Sequence, residues 1–515
     1  MNPALTETNF TGLDWGIVAA YLLVSVIVGV WANRYVGNLS DYLVAGRTLR
    51  IRLALATMTG TELGLVTVMY SSELGFTQQY ASLYLSVIEG VSLLIVGLTG
   101  IVVYRLRQAA VLTIPEYYEA RYSQGVRILG GVMMVLAGVL NMGLFLKAAS
   151  EFLTAISGLP QGDFLKWIMT GLLLMVLFYT VLGGMVSVVI TDLVQFIILG
   201  IAMVVVTWLV FQNVGYDGLA EVVTAHQGYF NPTSDINPSK LGGRGQPIGV
   251  LTIAVQAAVI FTAIMLWPSS ASRTLAVKTP EVAKQLYLYS TIPFLARRAL
   301  PVFWGIGAYA FFFGTTSPGF GQELLAAIDA NEISTRSAMP LYLAKIIPTG
   351  FLGLVTAGMI AAFMSTHDSY LLCWSGVVTQ DIVAPLFGPL SQRQRILTTR
   401  IGIVSIGAML LIWGLWYEPE GNLWAYMAVT GTVYLAGVLP IVIGGLYWKR
   451  GSTVGAYAAL IGGLSGLLGL DPAVRYLKIA VSPAIESGHM TLLTFAISIA
   501  GYVLGSLLFP DSAKE

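Results

Sequence analysis

Four oxygen-bearing side chains crowd into five residues of an otherwise apolar run: Ser365, Thr366, Asp368 and Ser369, within AAFMSTHDSYLLCWSGVVTQD at 361–381. On a helix, Ala362, Ser365, Thr366 and Ser369 are related by steps of three and four and share one face. Two hydroxyls and a backbone carbonyl presented together begin an oxygen cage for a hard cation. In hydrocarbon such groups are costly unless they face a cavity, a partner or an ion, although small hydroxyl residues also serve as plain helix contacts. A second stretch, RLALATMTGTELGLVTVMYSSELGF at 52–76, holds Thr57, Thr59, Gly60, Thr61, Glu62 and Gly64, then Thr67, Ser71, Ser72 and Glu73. It suits an interrupted helix whose unwound carbonyls line a site near the bilayer centre, or else a helix buried inside the bundle. Further ionisable residues inside apolar runs are Glu89, Lys147, Glu151 and Asp192. Lys147 and Glu151 are four apart and can neutralise each other. Asp192 has no basic neighbour in its own span and needs a bound cation, Arg273 or a second helix.

The elements that must position these groups are membrane helices. Of 515 residues 56% are hydrophobic and only 10% charged, with a mean hydropathy of +0.78; a soluble domain carries about 25% charged residues. Runs of spanning length fall near 13–33, 53–76, 81–104, 128–156, 164–183, 186–212, 248–268, 290–314, 351–379, 397–416, 423–447, 453–470 and 491–509. The fold class expected is therefore an all-α polytopic membrane protein of about thirteen helices, occupying 1–515 as one domain. Basic residues choose the orientation. Loops holding Arg34, Arg47, Arg50, Arg52, Arg105, Arg107, Arg121, Arg127, Arg273, Lys278, Lys284, Arg393, Arg395, Lys449 and Arg450 outweigh those holding Lys166, Lys240, Arg244, Arg336, Lys345, Arg475 and Lys478, fifteen against seven. The positive-inside rule then places the N-terminus outside and the C-terminus in the cytoplasm. The first run, Leu13 to Asn33, has no basic region before it and is expected to be a retained helix.

Other chemistries find little support. A net charge of +1 argues against nucleic acid as a partner, and a lone cysteine, Cys373, gives neither a disulfide framework nor a thiolate metal site. GGRG at 242–245 lacks the GK[ST] ending of a phosphate loop; His226, His367 and His489 form no HExxH pattern; GGMVSVV from Gly183 reads as a tight turn between helices. No enzyme, organic cofactor or obligatory protein partner is expected. Gly462 with Gly466, and Gly501 with Gly505, have the spacing of helix-packing contacts.

Several segments carry a specific resemblance: SDYLVAGRTL (Ser40 to Leu49), TIPEYYEARYS (Thr113 to Ser123), GGMVSVVITDLVQ (Gly183 to Gln195), SRTLAVKTPEVAK (Ser272 to Lys284), AAFMSTHDS (Ala361 to Ser369) and TQDI (Thr379 to Ile382). In content and order the chain resembles the sodium:solute symporter family, with its bacterial sugar, proline and sialic acid carriers. The resemblance implies LeuT-like inverted five-helix repeats (53–212 and 248–447), with a leading helix at 13–33 and two trailing helices at 453–509. It implies a sodium-coupled carrier that imports a small organic solute by alternating access across the bilayer, in the inner membrane of a bacterium. It also implies a principal sodium site at Gly60, Leu63, Ala362, Ser365 and Thr366, and, in some members, a second one at Asp192, Ser365, Asp368 and Ser369. Thr67 and Glu89 match solute-contacting positions. Glu62 departs from many members and is expected to tune sodium affinity, touch solute or take a proton; His367 is likewise unusual. Lys147, or the pair Arg297 and Arg298, can face an anionic solute, the pair alternatively being a positive-inside anchor. Two rivals are a proton-coupled carrier cycling Glu62 or Asp192, and a solute sensor, which normally adds a long soluble signalling domain.

Overall fold

The computed structural model describes residues 7–32, 34, 39–159, 163–225, 249–314, 320–330, 332–388, 390–416, 423–482 and 486–511. GGRG at 242–245, His226, Lys240 and Arg244 lie outside them. Helices carry the fold. The long ones are α1 (Gly12–Ala32), α2 (Ile51–Glu62), α3 (Leu65–Gln78), α4 (Tyr84–Thr99), α5 (Gln124–Ser157), α6 (Asp163–Ala225), α7 (Val250–Leu266), α8 (Pro268–Ala276), α9 (Pro280–Phe313), α10 (Phe351–Val377), α11 (Gln392–Trp416), α12 (Leu423–Tyr447), α13 (Thr453–Gly463) and α14 (Ser487–Leu508). Their outward faces are apolar, with Leu23, Ile27, Leu98, Val204, Ile412 and Leu508 exposed, as a lipid-facing surface requires.

By length and composition alone, nine helices among the described residues can cross a membrane, or ten if one bent pair is counted as a span. The figure of about thirteen is thus not established. The difference has a physical cause. In α6 two expected spans join into one long helix that kinks at Gly184 (φ 51°), and α9 carries Arg297 and Arg298 in mid-helix. The regions expected to be loops also contain helix: α6 runs on to Ala225, and Phe320–Asp329 and Ala338–Ile346 fill much of 315–350.

Two breaks matter for the site. Between α2 and α3, Leu63 (φ −88°, ψ 60°) and Gly64 (φ −73°, ψ 155°) leave the helical region. Between α7 and α8, Trp267 is extended (φ −65°, ψ 131°) ahead of Pro268, because a proline excludes the α conformation from the residue before it and starts a new helix readily. The segments at the far ends of α2 and α8 are tied by backbone bonds, Leu49 N–H to Ala276 O (3.2 Å) and Lys278 N–H to Leu49 O (3.0 Å).

Packing fixes the helices around these breaks. Asp14 at the start of α1 accepts the N–H groups of Gly350 (2.7 Å) and Gly353 (2.6 Å), so one helix supplies the carboxylate that caps the N-terminus of α10. Helix α6 lies along α10, and α9 lies against α3 and α4. The α3–α9 contact is backbone to backbone. A Cβ on Gly75 would sit 2.0 Å from Val302 O, and one on Gly305 would sit 2.0 Å from Ser72 O. Such closeness is how helices gain dispersion energy without a hydrophobic driving force. The glycine contacts expected from spacing are also present: Gly505 faces Gly455, and Gly462 faces Ser498. Gly305→Val or Gly75→Val should therefore abolish the monodisperse peak in fluorescence-detected size exclusion. Gly200→Ala, with nothing within 4 Å of its new methyl, should leave that peak intact.

Candidate functional site

The break in α2 releases carbonyls that an unbroken helix would consume. Three consecutive ones turn to side chains of other helices. Gly60 O accepts from Ser365 Oγ at 2.9 Å, Thr61 O accepts from Thr366 Oγ1 at 3.0 Å, and Glu62 O accepts from the Arg297 guanidinium. Both hydroxyls also lie within reach of Ala362 O, at 3.3 and 3.0 Å. Three carbonyl and two hydroxyl oxygens thus converge in a buried spot between α2 and α10. Each hydroxyl has two lone pairs and can turn them to a cation. Gly64 permits the arrangement: a Cβ there would lie 2.6 Å from Thr366 Oγ1. Of the expected set, Gly60, Ala362, Ser365 and Thr366 meet here, with Leu63 in the break itself. Thr61 is an addition.

One turn along α10 lies a second buried network. Asp192 Oδ2 accepts from Thr57 (2.5 Å), Thr61 (3.1 Å) and Arg273 (3.3 Å). Asp368 accepts from Tyr179 (2.9 Å) and Ser369 (3.1 Å). Ser369 Oγ is 2.9 Å from Thr61 Oγ1 and 2.5 Å from Arg273 Nη2. Asp192, Asp368 and Ser369 therefore belong together, whereas the Ser365 hydroxyl faces the first cluster. The partner that Asp192 needs is Arg273. That residue is not in an inside-facing loop, where the basic-residue count places it, but on α8 and fully buried.

Beside the break opens a cavity of about 130 Å³, lined among others by Glu62, Thr67, Glu89, Arg297, Arg298 and Thr366. Glu89 on α4 accepts from both Arg297 and Arg298. Glu62 Oε1 accepts from Ser269 (2.5 Å) and Ser270 (2.8 Å) on α8, and its Oε2 is 3.7 Å from Arg297. The arginine pair is thus no interfacial anchor; it is buried (7% and 5% exposed) against the acids it neutralises. Aromatic rings complete the wall, with Arg297 over Phe294 at 4.1 Å and Trp267 Nε1 donating to Tyr370 Oη at 2.9 Å. Thr366 touches both the oxygen cluster and this cavity, so the two sites share a side chain.

Comparison with known proteins decides what such a constellation belongs to. A model of the sodium:solute symporter family matches residues 42–463. The chain belongs to that family. It is 24% identical over 526 residues to the sodium/glucose cotransporter of Vibrio parahaemolyticus, covering 99% of this chain and 93% of that protein. It is 24% identical over 457 residues to the high-affinity proline transporter PutP of Bacillus subtilis, covering 86% and 89%. Its fold matches that of a Na⁺-coupled sialic acid symporter solved in a substrate-bound outward-open state, with a TM-score of 0.77 at 16% identity and 98% and 99% coverage. The expected fold class stands: an all-α, polytopic, LeuT-like membrane protein. As a family member the chain is a sodium-coupled symporter of the membrane rather than an enzyme, and its coupling ion is sodium.

Other symporter residues fall differently from expectation. Glu151 does not pair with Lys147; it binds Arg336 through two bonds of 2.7 and 2.9 Å. Lys147 is half-buried and does not line the cavity. His367 packs between Phe145 and Phe363 and shares a hydrogen bond of 2.7 Å with Phe363 O. Cys373, half-buried, lies 3.8 Å from Pro268 O. Spacing along the chain does not reveal Tyr179, Thr57, Ser269 or Ser270 as partners. A charge count does point to the arginines, because Glu62, Glu89, Asp192 and Asp368 sit within spans and buried acids need bases.

Gly64→Ala must displace the Thr366 hydroxyl, at about 1–3 kcal/mol of overpacking, and should raise the half-saturating sodium concentration of uptake roughly five- to a hundredfold. Glu89→Gln removes one partner of a buried charge cluster, a loss of about 3–5 kcal/mol. It should lower the melting temperature of purified protein far more than a surface change such as Lys278→Gln.

Proposed function

We propose that sodium binds at Gly60, Leu63, Ala362, Ser365 and Thr366 and drives entry of a small organic solute bound in the cavity at Glu62, Thr67 and Glu89. The observation that carries the reading is the meeting of the Ser365 and Thr366 hydroxyls with carbonyls of the broken α2. A hard cation takes about six or more oxygens, and the cluster supplies most of that shell within a buried, weakly screening interior. Sodium there bridges α2 and α10, so its binding favours whichever state holds those helices together. The solute cavity is organised in that same state through Thr366, and linkage makes each ligand raise affinity for the other.

The division into repeats at 53–212 and 248–447 is supported by the breaks, one falling at Leu63 in the first and one at Trp267 in the second. Glu62 joins the two breaks, its carboxylate on Ser269 and Ser270 and its carbonyl on Arg297. Rocking one repeat against the other would carry both sites between the two sides of the membrane. With the N-terminus outside and the C-terminus in the cytoplasm of a bacterium, import runs down the membrane potential. Each sodium ion moving through 100 mV supplies about 2.3 kcal/mol, nearly two powers of ten in solute accumulation. The relatives' solutes, sugar and proline, set the size range of the cargo.

Ser365→Ala and Thr366→Ala should each abolish sodium-driven uptake into proteoliposomes while the protein remains monodisperse. Uptake at the normal rate in both variants would overturn the site. The solute is found by thermal stabilisation across a small-molecule library, run in sodium and in potassium. The cargo should stabilise far more strongly in sodium.

A further inference from the structure

The network around Asp192 contains two acids and one base, all fully buried: Asp192, Asp368 and Arg273. The Arg273 guanidinium lies in the middle of the oxygens. Its Nη2 is 2.5 Å from Ser369 Oγ, 2.7 Å from Thr61 Oγ1 and 3.3 Å from Asp192 Oδ2. Its Nε is 3.4 Å from Thr57 Oγ1, and its Nη1 is 3.1 Å from Ser272 Oγ and 3.5 Å from Ser269 O. We infer that Arg273 is the resident cation of this cluster, that it takes the place a second sodium ion would need, and that this chain couples a single sodium ion. The inference rests on the sodium site proposed at Ser365 and Thr366.

Two arguments support it. First, the acceptors are committed. Asp192 Oδ2 and Ser369 Oγ point at a guanidinium, and both Asp368 oxygens receive hydroxyl protons, from Tyr179 and Ser369. A sodium ion among the same oxygens would stand about 4 Å from a fixed like charge, where screening is weak and repulsion strong. Second, one ion balances the charges of the two carboxylates and the guanidinium. Two carboxylates and one guanidinium leave a single negative charge in a dry interior, which is costly. A sodium ion at Ser365 and Thr366, one turn away on α10, completes neutrality. The sites are adjacent through α2 as well, since a Cβ on Gly60 would lie 3.4 Å from Asp192 O. Asp192 Oδ1 has no hydrogen-bond partner among the described residues, so its charge stays available to attract that ion. Asp192 and Asp368 then strengthen sodium binding without ligating it, and Arg273 sets the stoichiometry.

Equilibrium binding of radioactive sodium to the purified full-length chain tests this without knowledge of the solute. Wild type and Ser369→Ala should each bind one ion per chain, without cooperativity. Asp192→Asn should keep one ion but bind it about tenfold or more weakly, through loss of a nearby charge. Arg273→Gln should open the cluster and bind two. Two ions per wild-type chain, falling to one in Ser369→Ala, would overturn the inference; so would a folded Arg273→Gln that still binds one. If Arg273→Gln does not fold, the wild-type and Ser369→Ala stoichiometries decide alone. Failure of the underlying site looks different, as sodium binding unchanged in Ser365→Ala and Thr366→Ala.

Discussion

A helix that stops at Glu62 and resumes at Leu65 leaves backbone carbonyls in a place where water cannot satisfy them. That constraint governs the rest of the molecule. Each freed oxygen must find a donor or a cation, and the surrounding helices are arranged to supply one: Ser365 and Thr366 from α10, Arg297 from α9. The close glycine crossing of α3 and α9 brings the arginine near enough, and Asp14 anchors the start of α10. A continuous helix would need none of this, and would have nothing to offer an ion.

Charge balance is the second constraint and follows from the first. Functional acids inside a bilayer require bases at the same depth. Around the break the chain answers with two groups: Glu62 and Glu89 against Arg297 and Arg298, and Asp192 and Asp368 against Arg273. The first group is neutral by itself and walls the cavity. The second is one positive charge short, and it borders the oxygen cluster. The contrast matches the proposed roles, because a neutral wall takes solute without a net charge penalty whereas an acidic one draws in a cation.

Glu62 stands where the two arrangements meet. Its carbonyl belongs to the broken strand of oxygens, its carboxylate reaches the serines that follow the second break, and Arg297 contacts both. Movement of α8 or α9 relative to α2 therefore changes the oxygen cluster and the cavity together. Coupling of this kind requires only a shared set of hydrogen bonds that exists in one state and not in the other.

The class, the family and the oxygen-bearing residues that gather at the break between α2 and α3 are legible in the sequence. Length and continuity of apolar runs are local properties, and so is the three- and four-residue spacing that puts Ala362, Ser365 and Thr366 on one face. The interruption near Gly60 to Gly64 was legible because so many hydroxyls and glycines are poor company for a lipid-facing helix. Partnership was decided only by the tertiary structure. Arg273 looks like a loop residue and Arg297 and Arg298 like an interfacial anchor, since positive charges beside apolar runs usually face the cytoplasm. Glu151 looks paired with Lys147, four residues away, yet it binds Arg336 from a distant segment. Which acid meets which base depends on how helices far apart in the chain are brought together, and no spacing within one helix encodes that distance.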